Sequence, residues 1–96
     1  MEIICRIQEQ GALQEREYTN QNTGTAEKFA TMPFVLQSGA DTVYCEMVQE
    51  QARKQAALPK DYYYKATLAV RARPWQDQQG QQRWENRVTL TSISIL

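Results

Sequence analysis

The feature that most constrains this fold is a long run of alternating side chains, interrupted once by a glutamine-rich turn. The segment "YYYKATLAVRARPW" precedes the turn "QDQQGQQ", and the segment "RWENRVTLTSISIL" follows it. Alternation of apolar and polar residues has the period of a β-strand, and two such runs around a turn that contains glycine predict an antiparallel hairpin. The apolar face of this hairpin must be covered, so the sequence predicts a mainly β fold.

The two faces of the first hairpin strand differ in chemistry. The face predicted to point into the core holds Tyr62, Tyr64, Ala66, Leu68, Val70 and Ala72. The opposite face holds Tyr63, Lys65, Thr67, Arg71, Arg73 and Trp75. The second strand changes its alternation between Leu90 and Ile93, which predicts a β-bulge.

Three further strands and one helix are predicted before the hairpin. The strands are "EIICRIQ", "KFATMPFVLQ" and "TVYCEMV", and the helix formers of "QEQARKQAAL" predict a helix near Gln49 to Ala57. The polar run "QEREYTNQNTGTAE" predicts a long loop or a ragged hairpin. Pro33 cannot donate a ladder hydrogen bond, so its strand needs an unpaired edge or a bulge at that point.

The predicted order is strand, strand, strand, helix, strand, strand, in one domain over residues 1–96. An all-β fold with one short helix in this order suits the OB-fold, a five-stranded Greek-key barrel that binds oligonucleotides. A small mixed sandwich with a helix at one end is the alternative.

Composition excludes several kinds of site. The chain has no histidine, which removes most zinc sites, most catalytic triads and the usual general base at neutral pH. Its two cysteines, Cys5 and Cys45, form no CxxC pair and lie among apolar residues, as reduced core residues do. No nucleophile is paired with a base, and no glycine-rich phosphate loop is present. We therefore expect a non-enzymatic protein without a metal or cofactor.

The N-terminal sequence "MEIICRI" has too short an apolar run for a signal peptide or a membrane span. With reduced thiols, this predicts a cytoplasmic protein that has no membrane partner.

The net charge is zero, but the charges are unevenly distributed along the chain. Residues 1–50 hold three Lys or Arg and eight Asp or Glu, whereas residues 51–96 hold eight and three. Such asymmetry between the halves of a chain indicates an anionic partner for the basic half.

The hairpin also carries a sequence motif. In "RARPWQDQQGQQR" the motif residues are Arg71, Arg73, Trp75, Asp77, Gly80 and Arg83. This run resembles the hairpin of strands four and five in bacterial single-stranded DNA-binding proteins, where R-x-R-x-W-x-D-x-x-G-x-x-R leads into a final aliphatic strand. The resemblance extends over residues 43–96. A weaker similarity links "MPFVLQSG" and "VYCEMV" to the primosomal replication protein N family.

This resemblance implies an OB-fold that binds single-stranded DNA in replication, restart, recombination or transfer. The second similarity implies a DNA contact for Tyr44. From the residues themselves, we expect the indole of Trp75 to stack on a base and arginines on its face to bind phosphates. The full set of side chains expected at the nucleic acid is Tyr44, Tyr63, Lys65, Arg71, Arg73, Trp75, Arg83 and Trp84.

The two tryptophans are expected to be cross-strand neighbours on one face of the hairpin. A pair of this kind stabilises a hairpin by about 0.2–1 kcal/mol. Trp75 would then serve as the stacking platform, and Trp84 would support it.

The chain also departs from the tetrameric proteins it resembles. Its loop "QSGADT" is short and has no tryptophan, and no glycine-rich tail with an acidic tip follows Leu96. We therefore expect no recruitment of partner enzymes through such a tail.

Self-association into a dimer or tetramer is expected, because Phe29 and Val35 are predicted on an outer face beside the irregular edge at Pro33. The main alternative function is a protein-interaction OB domain that binds a peptide or a partner subunit. Affinity for oligo-dT that falls steeply with salt would distinguish a DNA-binding protein from this alternative.

Overall fold

The computed structural model describes all residues from Met1 to Leu96 and is built almost entirely of β-strands. A single short helix interrupts them. It begins at Gln49, as predicted from the run of helix formers, but it ends at Lys54, before the predicted end at Ala57. In chain order the elements are β1 (Glu2–Gln10), β2 (Gln14–Thr19), β3 (Ala26–Ser38), β4 (Asp41–Val48), α1 (Gln49–Lys54), β5 (Tyr64–Gln76) and β6 (Gln82–Ile95).

Five of the six strands pair in a ring. The strand order in the sheet is β1-β5-β6-β4-β3-β2, and an additional pairing of β1 with β3 closes all strands except β2 into the ring. All pairings are antiparallel except that of β4 with β6, which is parallel and consists of the single bridge between Glu46 and Thr89.

The core lies inside this ring and follows from the alternation in the sequence. Every second residue of each ring strand points inward, so burial alternates along β1, β3, β4 and the first half of β5. The buried cluster consists of Cys5, Ile7, Met32, Phe34, Leu36, Cys45, Met47, Ala52, Tyr64, Ala66, Leu68 and Leu90. Both cysteines are free and buried, as expected from their apolar surroundings.

β2 is the strand that the sequence predicted only as a long loop or a ragged hairpin. It pairs with the first half of β3 in regular register from Gln14 opposite Thr31 to Thr19 opposite Ala26. All six of its residues are exposed, which explains why it lacks an apolar face in the sequence. We call this exposed hairpin the β2–β3 arm.

The outer half of the β5–β6 hairpin is a second arm. From Val70 paired with Val88 to Gln76 paired with Gln82, no other strand pairs with it. We call this segment the β5–β6 arm. The two arms explain why the radius of gyration is 15.6 Å, when a compact chain of this length has about 12.5 Å.

Pro33 lies where β3 passes from one partner strand to the next. Pairing with β1 ends at Phe34, and pairing with β2 begins at Thr31, so Pro33 occupies a gap in the ladder as its missing N–H requires. The backbone N–H of Gly11 donates to the carbonyl of Pro33 across this gap, at 2.8 Å.

The predicted bulge in the last strand is confirmed. Thr67 pairs with Ser92 and Leu68 pairs with Leu90, so Thr91 is the extra residue. Gln51 of α1 donates a side-chain hydrogen bond to the Thr91 carbonyl at 2.8 Å, which ties the helix to the bulge.

Three residues predicted on the core face of the first hairpin strand are exposed: Tyr62, Val70 and Ala72. Val70 and Ala72 lie in the β5–β6 arm, beyond the ring that encloses the core. Tyr64 is buried, and its hydroxyl donates to the Pro59 carbonyl at 2.6 Å, but Tyr62 is half exposed. β5 begins only at Tyr64, so Tyr62 precedes the strand and does not share its alternation.

The single helix of the structure, α1, is not long and apolar enough to cross a membrane.

Candidate nucleic-acid interface

The register of the β5–β6 arm decides where its two tryptophans point. Trp75 pairs with Arg83, whereas Trp84 pairs with Pro74. Directly paired residues of an antiparallel hairpin share a face, and successive residues alternate between faces. Trp75 and Trp84 therefore lie on opposite faces, and the prediction that they are cross-strand neighbours on one face is wrong. A shift of one residue in register separates the two arrangements.

The turn at the tip of the arm fixes this register. The Asp77 carboxylate accepts hydrogen bonds from the backbone N–H groups of Gln79 and Gln81, and Gly80 takes a positive φ of 79°. Arg83 also donates to Asp77, at 3.1 Å. The Gln81 N–H, followed by the Arg83 guanidinium and the Gln79 N–H, holds the pKa of Asp77 below its usual value. Arg83, predicted at the nucleic acid, thus also supports the turn.

The face of the arm that bears Trp75 is cationic. Arg71 pairs with Arg87, and Arg73 pairs with Glu85. With Arg83, which pairs with Trp75 itself, four arginines and one glutamate share this face with the indole. The Nη1 atom of Arg73 lies 3.8 Å from the Oε1 atom of Glu85. None of the five ion pairs in the structure includes Arg71 or Arg87, so both guanidiniums are available to an anion.

The same outer side of the sheet continues into a groove of about 550 Å³ between the two arms. Its floor is formed by Tyr44, Glu46 and Val48 of β4, and one wall is formed by the β2–β3 arm. The lining residues are Gln14, Arg16, Phe29, Thr31, Tyr44, Glu46, Val48, Asn86, Arg87, Val88 and Thr89.

The opposite wall of the groove is the edge of β6. Four consecutive residues, Asn86 to Thr89, line it, although neighbours in a strand point to opposite faces. The edge itself must therefore face the groove. Since the bridge at Thr89 is the only pairing of β6 with β4, the backbone N–H and C=O groups before it have no strand partner on this side.

Tyr44, expected at the nucleic acid, lines this groove, whereas Arg16, Phe29 and Arg87 of its walls were not among the expected contacts. Arg16 pairs with Phe29 in the β2–β3 arm, so a cation and an aromatic ring lie side by side. Arg87 stands on the other wall, and neither it nor Arg16 belongs to an ion pair. The only signal for Arg87 in the sequence was the hairpin register, because its cross-strand partner is Arg71.

A third exposed ring lies on the same side of the β2–β3 arm. Tyr18 pairs with Glu27, and its hydroxyl donates to that carboxylate at 2.7 Å. This hydrogen bond is the main reason that the pKa of Tyr18 lies above its usual value. Tyr18, Phe29, Tyr44 and Trp75 thus place aromatic rings along one side of the sheet, each at least 36% exposed.

Two predicted residues lie far from this surface. Lys65 lies at the other end of β5 and Tyr63 immediately precedes that strand, so both are ten or more residues from Trp75, which corresponds to about 30–40 Å along a strand. Lys65 forms an ion pair with Glu2 at 3.1 Å, and the guanidinium of Arg6 lies 5.4 Å from the Tyr63 ring. The structure therefore does not bring them together with Trp75.

Glu46 is the one acidic side chain among the residues that line the groove. It is half-buried, and it pairs with Pro33 on one side and with Thr89 on the other. No ion pair within 4.0 Å neutralises it. The groove therefore combines two unpaired arginines at its walls with one unpaired carboxylate at its floor.

No protein-family model matches this chain, and comparison with curated proteins finds no match either.

Proposed function

We propose that this protein is a non-enzymatic single-stranded DNA-binding protein with an OB-fold. The closed order of pairing supports the fold: five strands in a ring, with one parallel pairing and a helix between its third and fourth strands. The β2–β3 arm is an addition to that five-stranded plan.

The observation that carries the function is the chemistry of one side of the sheet. Exposed rings of Tyr18, Phe29, Tyr44 and Trp75 alternate there with arginines from three strands. Single strands need cations that follow the backbone and flat side chains on which unpaired bases stack. The faces of duplex bases are already stacked, so they are closed to these rings.

We refine the expected set of contacts in the light of this geometry. Arg16, Phe29 and Arg87 join Tyr44, Arg71, Arg73 and Trp75 as proposed contacts, and Arg83 contributes from the turn. Tyr63 and Lys65 are not part of the proposed site because they lie just before and at the far end of β5. Trp84 is not part of it either, because it lies on the opposite face of the arm from Trp75. The two buried free thiols support the cytoplasmic location expected from the sequence.

Titration with a labelled single-stranded oligonucleotide, and with the matching duplex, tests this proposal. We expect the single strand to bind more tightly than the duplex. The logarithm of its affinity should fall linearly with the logarithm of the salt concentration. No measurable affinity for any oligonucleotide at low salt would overturn the proposal and favour the protein-interaction domain instead.

A further inference from the structure

The second face of the β5–β6 arm carries no ionisable side chain. The register places four arginines, a glutamate and Trp75 on the first face. The other face, which we call the Trp84 face, holds Val70, Ala72, Pro74, Gln76, Gln82, Trp84, Asn86 and Val88. Charged side chains normally keep both surfaces of an exposed hairpin soluble. In this arm, all charged side chains lie on one face, which is a specific feature of it.

The Trp84 face is also uncovered. Trp84 is 64% exposed and Val70 is 44% exposed. The β2–β3 arm differs, because α1 packs against it: Arg53 of the helix lies 3.2 Å from Glu15 and donates to the Lys28 carbonyl at 3.1 Å. Exposed aromatic and aliphatic groups with amides and no charges are typical of the centre of a protein interface.

We propose that a second copy of this chain covers the Trp84 face. The face offers no cations to an anionic strand and no charges to a charged peptide, so its chemistry disfavours both as partners. An identical charge-free face meets neither obstacle. In a two-fold arrangement, Trp84 on β6 of one copy lies over Val70 and Ala72 on β5 of the other, so that a large side chain meets small ones twice.

The charges on the arm favour this arrangement over the reverse one. Packed ribbons lie about 10 Å apart, so contact through the Trp84 faces leaves all arginines of both copies on the outside. Contact through the other faces would instead bring two sets of four arginines together against only two glutamates. The dimer therefore keeps both grooves and both Trp75 rings open. Sequence reasoning placed self-association at Phe29 and Val35, but Phe29 lines the groove.

The size of the face sets the expected strength. Seven paired positions span about 23 Å and two strands about 10 Å, so one arm presents a footprint of roughly 230 Å². A stable interface of standard size buries about 800 Å² per partner. The area falls well short of that figure, so we expect a dissociation constant in the micromolar range, on the order of 10–100 µM.

Sedimentation velocity without nucleic acid tests the proposal on the full chain, over a series from about 1 µM to about 300 µM that brackets the expected constant. We expect the parent to pass from monomer to dimer with little weakening at high salt, because the interface is apolar. Trp84→Glu and Ala72→Glu each place a charge on the Trp84 face, and should remain monomeric throughout. Trp75→Glu, the matched control on the other face, should dimerise like the parent.

A second measurement needs no disruptive variant. In Trp75→Phe, Trp84 is the only indole, and its emission should shift to shorter wavelength as concentration rises and the ring leaves water. The proposal is overturned by a parent that stays monomeric, by variants of the Trp84 face that still dimerise, or by a Trp75→Glu control that does not. It is also overturned by a dimer in which the Trp84 emission does not move. Because no nucleic acid is present, these outcomes are independent of the DNA-binding proposal.

Discussion

Trp75 and Trp84 lie on opposite faces of the β5–β6 arm, with Trp75 across from Arg83 and Trp84 across from Pro74. The two indoles therefore cannot stabilise the hairpin as a directly paired aromatic couple. Each is exposed on its own surface, Trp75 among arginines and Trp84 among uncharged residues. This single relationship separates the surface that we assign to DNA from the surface that we assign to a second copy.

The first prediction compares the two tryptophans by alanine substitution. Trp75→Ala should weaken binding of oligo-dT by about 1–3 kcal/mol, because one base loses its stacking partner. Trp84→Ala should change binding much less, since its ring points away from the cationic face. Both residues are partly exposed, so both variants should keep a thermal transition close to that of the parent.

Fluorescence anisotropy of a labelled oligonucleotide measures this difference. The titrations are made below about 1 µM protein, where a weak dimer does not form. Equal losses for the two variants, or none for Trp75→Ala, would contradict the assignment of Trp75 as the stacking platform.

Local pattern predicted most of the secondary structure. Alternation identified the faces of β1, β3 and β4, and helix formers identified α1, because both patterns are repeated over several residues. The bulge at Thr91 was predicted for the same reason, since Leu90 is buried and Ile93 is half-buried, whereas strict alternation would separate them onto different faces.

The functional surface was harder to predict, because it depends on register and on pairing between distant segments. The turn "QDQQGQQ" suits two registers of the hairpin. One pairs Trp75 with Arg83, and the other, shifted by one residue, pairs Trp75 with Trp84, so the two registers place Trp84 on different faces. Arg16 and Phe29 meet Tyr44 only because β2 pairs with β3, and β2 has no apolar face to predict it. Lys65 shares the strand parity of Trp75, but it lies too far along β5 to act with it.

The second prediction concerns the cations of the groove. Arg87→Gln should weaken binding of every single strand alike and reduce the slope of log affinity against log salt by about 0.7, the value for one phosphate contact. Lys65→Gln is the matched control, because it removes one positive charge at the far end of β5. Its slope should equal that of the parent. Equal slopes in all three proteins would remove Arg87 from the interface.

The third prediction concerns the gap in the ladder at Pro33. A Cβ placed on Gly11 would lie 2.5 Å from the Cγ of Pro33, so Gly11→Ala should destabilise the protein by about 1–3 kcal/mol through overpacking. Replacing Pro33 by alanine removes that Cγ, and the double variant should therefore recover part of the loss. Urea unfolding of the four proteins of this cycle measures the coupling. Strictly additive effects would show that the two side chains do not conflict.

The fourth prediction is a pH dependence. Burial, with smaller contributions from Cys5 and Glu46, raises the pKa of Cys45 from 9.0 to about 12. Below pH 9 the thiol is protonated in both states and adds no pH dependence. Between those two pKa values only the unfolded chain releases the proton, so the free energy of unfolding falls as pH rises, by at most about 1.4 kcal/mol per pH unit.

Urea unfolding at several pH values between about 8 and 11 tests this dependence against Cys45→Ala, across the range in which linkage operates. The variant is less stable at every pH because it leaves a cavity, but its stability should fall less steeply as pH rises. Parallel curves for the two proteins would mean that the folded state does not hold the thiol in its protonated form.

The last prediction concerns the carboxylate at the floor of the groove. Glu46 carries no ion pair, so it repels phosphates but can accept a hydrogen bond from a base. Cytosine presents an amine at position 4, where thymine presents an oxygen that a carboxylate repels. We therefore expect oligo-dC to bind more tightly than oligo-dT, by about fivefold or more, the lower end of the 1–3 kcal/mol that one base contact discriminates.

Glu46→Gln should bind both oligonucleotides more tightly and lose the preference for oligo-dC, because an amide can donate to the thymine oxygen as well as accept from cytosine. Glu85→Gln removes the same charge from the arm, so it should strengthen binding of both oligonucleotides equally and keep their ratio. An unchanged ratio in Glu46→Gln would show that the carboxylate does not meet a base, whatever its effect on overall affinity.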